Sequence, residues 1–181
     1  MKRIKVEEYI KKEFLDDDGY YTIIINLYDG FSLYNNLSVG KQLELNSEIY
    51  NYIDTKSMVI PYSYKLKVKF IGRKLDNEDK KMIEYLIREH YYVVKEKVKS
   101  DLRKLTIKMY LLLLLGFILL AVYFLIFRKI VDSLFLELFS IIGTFSIWES
   151  FGIYFFDRKE LLNTYYDSLQ NFEQVIEFDG K

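Results

Sequence analysis

The sequence predicts an α+β membrane protein. It has a small cytoplasmic α/β domain, a long connecting helix, a two-helix transmembrane hairpin, and a C-terminal helix and strand that return to the cytoplasmic sheet. Three observations lead there. Two apolar runs, Met109–Phe127 and Leu138–Phe156, stand ten residues apart. An apolar stripe at helical spacing leads into the first of them. A strand-like segment, Phe172–Phe178, follows the second. The expected divisions are 1–75 for the domain, 76–108 for the long helix, 109–127 and 138–156 for the spans, 128–137 for an external link, and 157–181 for the closing helix and strand.

The totals narrow the class. The 181 residues carry 26 Lys+Arg and 26 Asp+Glu, so the net charge is zero. A nucleic-acid binder normally needs a basic excess to offset phosphate. There is no cysteine, which removes disulfides, thiolate catalysis and cysteine-ligated zinc.

The first stretch, Ile4–Leu15, sets Ile4, Val6, Ile10, Phe14 and Leu15 among charges and reads as a short helix. Asp16-Asp17-Asp18-Gly19 stops it. A calcium loop would close with Glu at its twelfth position, and Leu27 stands there, so the run reads as a solvated turn. Tyr20–Tyr28 is β-branched and aromatic, a buried strand. Asp29-Gly30 then turns the chain, with Phe31–Tyr34 expected to open a hairpin partner. Val39-Gly40-Lys41-Gln42 is not a phosphate loop: Asn35 stands where its first Gly belongs, and Gln42 where Ser or Thr belongs. Asn46 is the expected N-cap of a helix through about Lys56, with Ile49, Tyr52 and Ile53 on one face.

Tyr64–Phe70 alternates cleanly. Tyr64, Leu66, Val68 and Phe70 point one way; Lys65, Lys67 and Lys69 point the other. The lysine row suits anionic lipid headgroups, an exposed sheet face, or an edge guarded against aggregation. Asp76–Asp79 opens the long helix, acids favouring its positive end. Apolar residues recur at 83, 87, 91, 94, 98, 102, 105 and 109, and no Pro or Gly intervenes before Gly116. The pattern is coiled-coil-like, without a strict heptad.

Met109–Phe127 has no charge over 19 residues, about 28 Å of helix at ~1.5 Å per residue, and suffices for a ~30 Å hydrocarbon core. In Leu138–Phe156 the one charge is Glu149. Lysines and arginines crowd residues 95–108 and recur at Arg158 and Lys159, whereas the link holds only Arg128 and Lys129. The positive-inside rule puts both termini in the cytoplasm and the link outside. The charged N-terminus has no apolar segment of the signal-peptide kind, so the first span is the expected insertion signal.

If Met109 and Phe156 mark one boundary, Glu149 lies opposite Gly116 and roughly 10 Å deep, at ~1.5 Å per residue. Small residues flank it: Ser140, Gly143, Ser146, Ser150 and Gly152. Such faces let helices approach closely. Glu149 with Gly116, Gly143, Ser146 and Ser150 is therefore the candidate intramembrane polar or oligomer contact. Three roles stay open for Glu149: a packing residue hydrogen-bonded in its protonated form, a contact that specifies an oligomer, or one member of a carboxylate ring lining a path.

No catalytic, cofactor or metal residues are assigned. His90 is the one histidine and reads as packing or surface, and no G-x-S-x-G, Walker A or dinucleotide fingerprint occurs. The expected partners are the lipid bilayer, further copies of the chain, and a soluble protein or small-molecule ligand at the cytoplasmic domain.

Three pieces, NSEIYNYID, IPYSYKLKVKFIG and FSIWESFGIYFFDRKELL, with the overall layout, resemble uncharacterised two-span membrane proteins of low-GC Gram-positive bacteria. The resemblance implies no assigned activity. More loosely, the plan is similar to two-span effectors of bacterial anti-phage systems, in which a cytoplasmic domain triggers membrane disruption. The expected function is a non-enzymatic bacterial inner-membrane protein of sensor or effector type, whose cytoplasmic domain binds a ligand or protein partner and couples it to an oligomerising hairpin. The alternative is a passive anchor or scaffold.

Overall fold

The computed structural model describes residues 6–126 and 134–179. Ile4 of the expected first helix, Phe127 at the end of the first span, and residues 128–133 of the expected link lie outside them. The chain divides into two compact units, Met1–Lys95 with Tyr166–Lys181, and Glu96–Tyr165.

The first unit is built on a three-stranded parallel sheet. Its strands are β1 (Tyr21–Leu27), β2 (Leu66–Gly72) and β3 (Val175–Phe178), in the order β1-β2-β3. Tyr21 pairs with Leu66 and Leu27 with Gly72; Lys67 pairs with Val175 and Phe70 with Phe178. The C-terminal strand thus completes the sheet as expected, but over Val175–Phe178 only, because Phe172 and Glu173 of the expected strand stay in the preceding helix. A strand of four residues is not stable alone, and pairing with β2 supplies what it lacks.

Phe31–Tyr34 forms no hairpin strand. The edge of β1 that would receive it carries no strand, and Tyr34 only bridges Leu45. The reason is the partner: β2 shares the same alternation and buries the same face, and a parallel pair needs a long crossover. The crossover holds α2 (Ser47–Ser57), capped by Asn46, whose side chain accepts from the Glu48 amide at 3.0 Å.

One face of the sheet forms the core. Ile23, Ile25, Leu27, Leu66, Val68 and Phe70 are buried there. α1 (Val6–Phe14) covers them with Ile10 and Phe14, and α2 with Ile49 and Ile53. Tyr52, expected on that α2 face, is exposed. Each such side chain contributes about 1.5–3 kcal/mol when fully buried. Gly72 closes β2 at φ +99°; a Cβ there would lie 2.5 Å from Asn26 Oδ1 and 2.6 Å from the Leu27 carbonyl oxygen, so only glycine fits.

The helix α3 runs unbroken over 50 residues, Asn77–Ile126, and contributes to both units. Asp76 accepts from the Asp79 amide at 2.7 Å at its start. The apolar stripe is its inner face: Ile83, Ile87, Tyr91 and Met109 are buried, and Val94, Val98, Leu102 and Leu105 half-buried. α4 (Leu134–Gly152) passes through one π-helical turn, Ile153–Asp157, straight into α5 (Arg158–Glu173). Among the described residues two helices are long and apolar enough to cross a membrane.

Candidate functional site

In the second unit α3 and α4 meet through their small residues. A Cβ on Gly116 would stand 2.7 Å from the Gly143 carbonyl oxygen and 2.5 Å from Ile147 Cγ1; one on Gly143 would stand 3.2 Å from the Gly116 carbonyl oxygen. The two backbones touch where only glycines allow it. Further along the seam, the Ser150 hydroxyl donates to the Met109 carbonyl at 3.0 Å. Ser146 is buried beside it and donates to the Ile142 carbonyl of its own helix at 2.8 Å. The four residues grouped with Glu149, namely Gly116, Gly143, Ser146 and Ser150, thus face the inside of one chain. The small-residue face is used by the hairpin itself.

Glu149 sits next to this seam, half-buried. Met109 facing Ser150 and Gly116 facing Gly143 belong to one antiparallel register. In it Glu149 is level with Tyr110, with Lys108 about 3 Å nearer the start of α3 at ~1.5 Å per residue, and not with Gly116. Aligning the spans by their apolar ends puts Gly116 there. The helices align instead by where their backbones can approach, and the aromatic run after Ser150 extends past the charge-free run of α3. Glu149 thus stands level with the start of that run rather than deep within it.

The hydroxyls nearest Glu149 are already committed, since Ser146 and Ser150 each have one proton to donate. Among the described residues, neither Glu149 nor Lys108 has a hydrogen-bond or ion-pair partner. Around them the hairpin presents large apolar side chains outward. Leu111, Leu114, Phe117, Ile118, Phe124, Leu125, Ile141, Phe145 and Trp148 are all exposed.

The lysine row of the first unit has a different setting. β2 is the central strand, so the reading of these lysines as guards of a sheet edge is corrected: the edges are β1 and β3. Lys67 is buried and bridges Asp18, Glu177 at 3.4 Å and, at 3.9 Å, Asp16. Lys69 meets Asp179 at 3.1 Å and Glu177 at 3.8 Å. The Asp16–Gly19 turn, read as solvated, supplies two of these carboxylates. The hydrogen bond from Lys67 holds the Asp18 carboxyl below its ordinary value, and the same bond raises the Lys67 amine. Lys65 lies apart, its ammonium 5.9 Å from the Tyr20 ring centre. It lines a cleft of about 340 Å³ with Tyr62, Tyr64, Gln170 and Glu173.

A polar seam joins α2, α3 and the end of α5. Tyr91 donates to Asp54 Oδ1 at 2.9 Å, and Asn171 Nδ2 approaches the same oxygen at 3.3 Å. Burial, with the facing Asp54, pushes the Tyr91 hydroxyl far up. Gln170 Nε2 donates to the Pro61 and Tyr64 carbonyls at 3.1 and 2.9 Å. His90 stacks on Tyr50 at 3.9 Å, and burial lowers its pKa. Sequence reasoning missed this seam, because nothing in the spacing of Asp54, Tyr91 and Asn171 brings them together before the fold does.

No family model, curated protein or solved structure matches this chain.

Proposed function

We propose that the chain is a non-enzymatic protein of the bacterial cytoplasmic membrane. Residues 109–156 form a two-span hairpin with both termini in the cytoplasm, and the α/β unit binds a soluble protein or a small ligand there. One observation supports the membrane reading above the others. The hairpin is held together by glycine, serine and backbone contacts, and turns its large apolar side chains outward. That is the arrangement suited to lipid, where small residues join helices and apolar ones meet acyl chains. In water the same surface would be an aggregation site. Trp148, Tyr154, Phe155 and Phe156 suit the inner interface, with the lysines of residues 95–108 beside it. The Tyr62–Glu173 cleft is the natural place for a small ligand.

The oligomerising sensor or effector is a second reading, and Glu149 favours it. A carboxylate in this setting without a donor in its own chain draws one from water or from another copy. Its level near the inner interface removes the support for a carboxylate ring deep in the bilayer. The coupling such a protein needs would run along α3, which is one helix without a break.

The test is to produce the full chain in bacteria, cross-link the intact cells, and purify it from extracted membranes. Recovery in the membrane fraction together with a stoichiometric soluble protein or small molecule supports the proposal. Recovery in the soluble fraction overturns the membrane reading. A membrane protein that dissipates membrane potential when overproduced would replace the anchor with the effector.

A further inference from the structure

Met109 and Ser150 face each other across the seam of the hairpin. Each is preceded by a charged residue, Lys108 on α3 and Glu149 on α4. One residue is a rotation of about 100° in a helix. In antiparallel helices the same step from two facing residues leads to the same side. Lys108 and Glu149 therefore stand to one side of the seam, offset by about 3 Å along it at ~1.5 Å per residue. Tyr110 and Phe151, one step the other way, stand on the opposite side.

That side of the hairpin carries an open apolar groove on α3. Lys104, Ile107, Lys108, Leu111, Leu112 and Leu115 line it. It thus offers two lysines, one carboxylate and apolar surface; Lys104 already meets Asp101 at 3.2 Å, which leaves Lys108 as the cation for a partner. We propose that this side docks a second copy of the chain, each Glu149 meeting Lys108 of the other copy. The charges select the occupant. A two-fold axis along the hairpin keeps every residue at its own level and brings the α4 of one copy against the α3 of the other. One operation then makes two identical ion pairs, the reciprocity of a two-fold interface. Lipid tails or an uncharged partner would leave Glu149, half-buried at the edge of the apolar run, with no cation to meet. Within one chain the two side chains do not pair among the described residues. The inference rests on the membrane reading above and supplies the donor that Glu149 lacks.

The absence of native cysteines makes the test clean. Two single variants, Glu149→Cys and Lys108→Cys, are produced together in membranes and treated with a short bifunctional thiol reagent. A direct disulfide is too short for positions that face each other through long side chains. Tyr110→Cys with Phe151→Cys is the control at the same level on the opposite side. The expected result is a linked dimer of the Glu149 and Lys108 variants, formed at least tenfold faster than the control. In a second arm, Glu149→Lys lowers the dimer fraction, and adding Lys108→Glu restores it. Equal linking of both pairs overturns the inference, as does linking confined to single chains in the Glu149→Cys/Lys108→Cys double variant. If the protein stays in alkaline-extracted membranes without linking, the inference alone fails. If it leaves those membranes, the membrane reading fails as well.

Discussion

The Ser150 hydroxyl of α4 donates to the Met109 carbonyl of α3 at 3.0 Å. With the Gly116–Gly143 contact it sets the register of the hairpin. A hydroxyl bonded across two helices is valuable in an apolar setting, where the carbonyl has no water to turn to, though measured values average well below 2 kcal/mol. Ser150→Ala should lower the thermal midpoint of the detergent-solubilised protein modestly, by about 0.6–1.5 kcal/mol of stability. An unchanged midpoint would remove this bond from the account.

The two glycines should not respond equally. A Cβ at Gly116 meets the Gly143 carbonyl at 2.7 Å and Ile147 Cγ1 at 2.5 Å; at Gly143 its nearest neighbour is Leu120 Cγ at 3.1 Å. Gly116→Ala should therefore cost more than Gly143→Ala, about 1–3 kcal/mol for overpacking of this kind. Thermal unfolding of the two variants side by side reads the order, and the reverse order contradicts the register.

The Lys67 cluster gives the first unit two pH limits. The Asp18 carboxyl is lowered by its bond to Lys67, so its contribution is present above the ordinary value of 3.8 and is lost as pH falls through the lowered one. The Lys67 amine is raised, so its contribution is present below 10.5 and is lost as pH rises through the raised value. Lys67→Met should destabilise the unit near neutral pH and flatten both flanks of its stability profile. Chemical denaturation across pH checks this. Flanks that stay steep in the variant would place the titrating groups elsewhere.

His90 should act between those limits. Burial against Tyr50 lowers its pKa, against the opposing pull of Asp54 and Glu44. The folded unit favours the neutral ring. Stability is then full above 6.5 and falls as pH drops from 6.5 towards the lowered value. His90→Gln should remove that slope, read by the same denaturation series.

The closing strand can be tested at its ring contact. Phe178 stacks on Phe70 with ring centres 5.3 Å apart. Phe178 is half-buried, so Phe178→Ala should cost about 1–2 kcal/mol, less than for a fully enclosed ring. Removing residues 174–181 should do far more, because it leaves β2 with an open edge. Limited proteolysis of the truncated chain should then cut within the first unit.

Much of this architecture was legible from periodicity. The 4,4,3 spacing from Ile83 to Met109 announced α3, and its stripe is the buried face. The alternation of Leu66, Val68 and Phe70 announced β2, and FEQVIEF announced β3. Alternation does not say which strand lies beside which, so Phe31–Tyr34 read as a hairpin partner and an edge position stayed open for β2. Lys67 read as exposed because a lysine on a strand's polar face usually is; its carboxylates come from Asp16, Asp18 and Glu177, brought together only by the sheet. The hairpin's small residues were legible, but their register was not. Apolar run lengths locate a span to within a turn or two, whereas glycine contacts fix it to a residue. The π-helical turn at Ile153–Asp157 left no mark in the spacing of apolar residues.

The proposed two-span hairpin has both its ends on one side of the membrane. In the cysteine-free chain, single cysteines replace Asp132 in the expected link, Lys56 on α2 and Asp179 after β3. Intact cells are treated with a membrane-impermeant maleimide, before and after permeabilisation. The account predicts that Asp132→Cys labels in intact cells, and that Lys56→Cys and Asp179→Cys label only after permeabilisation. Labelling of Asp179→Cys in intact cells, or protection of all three until permeabilisation, would contradict it.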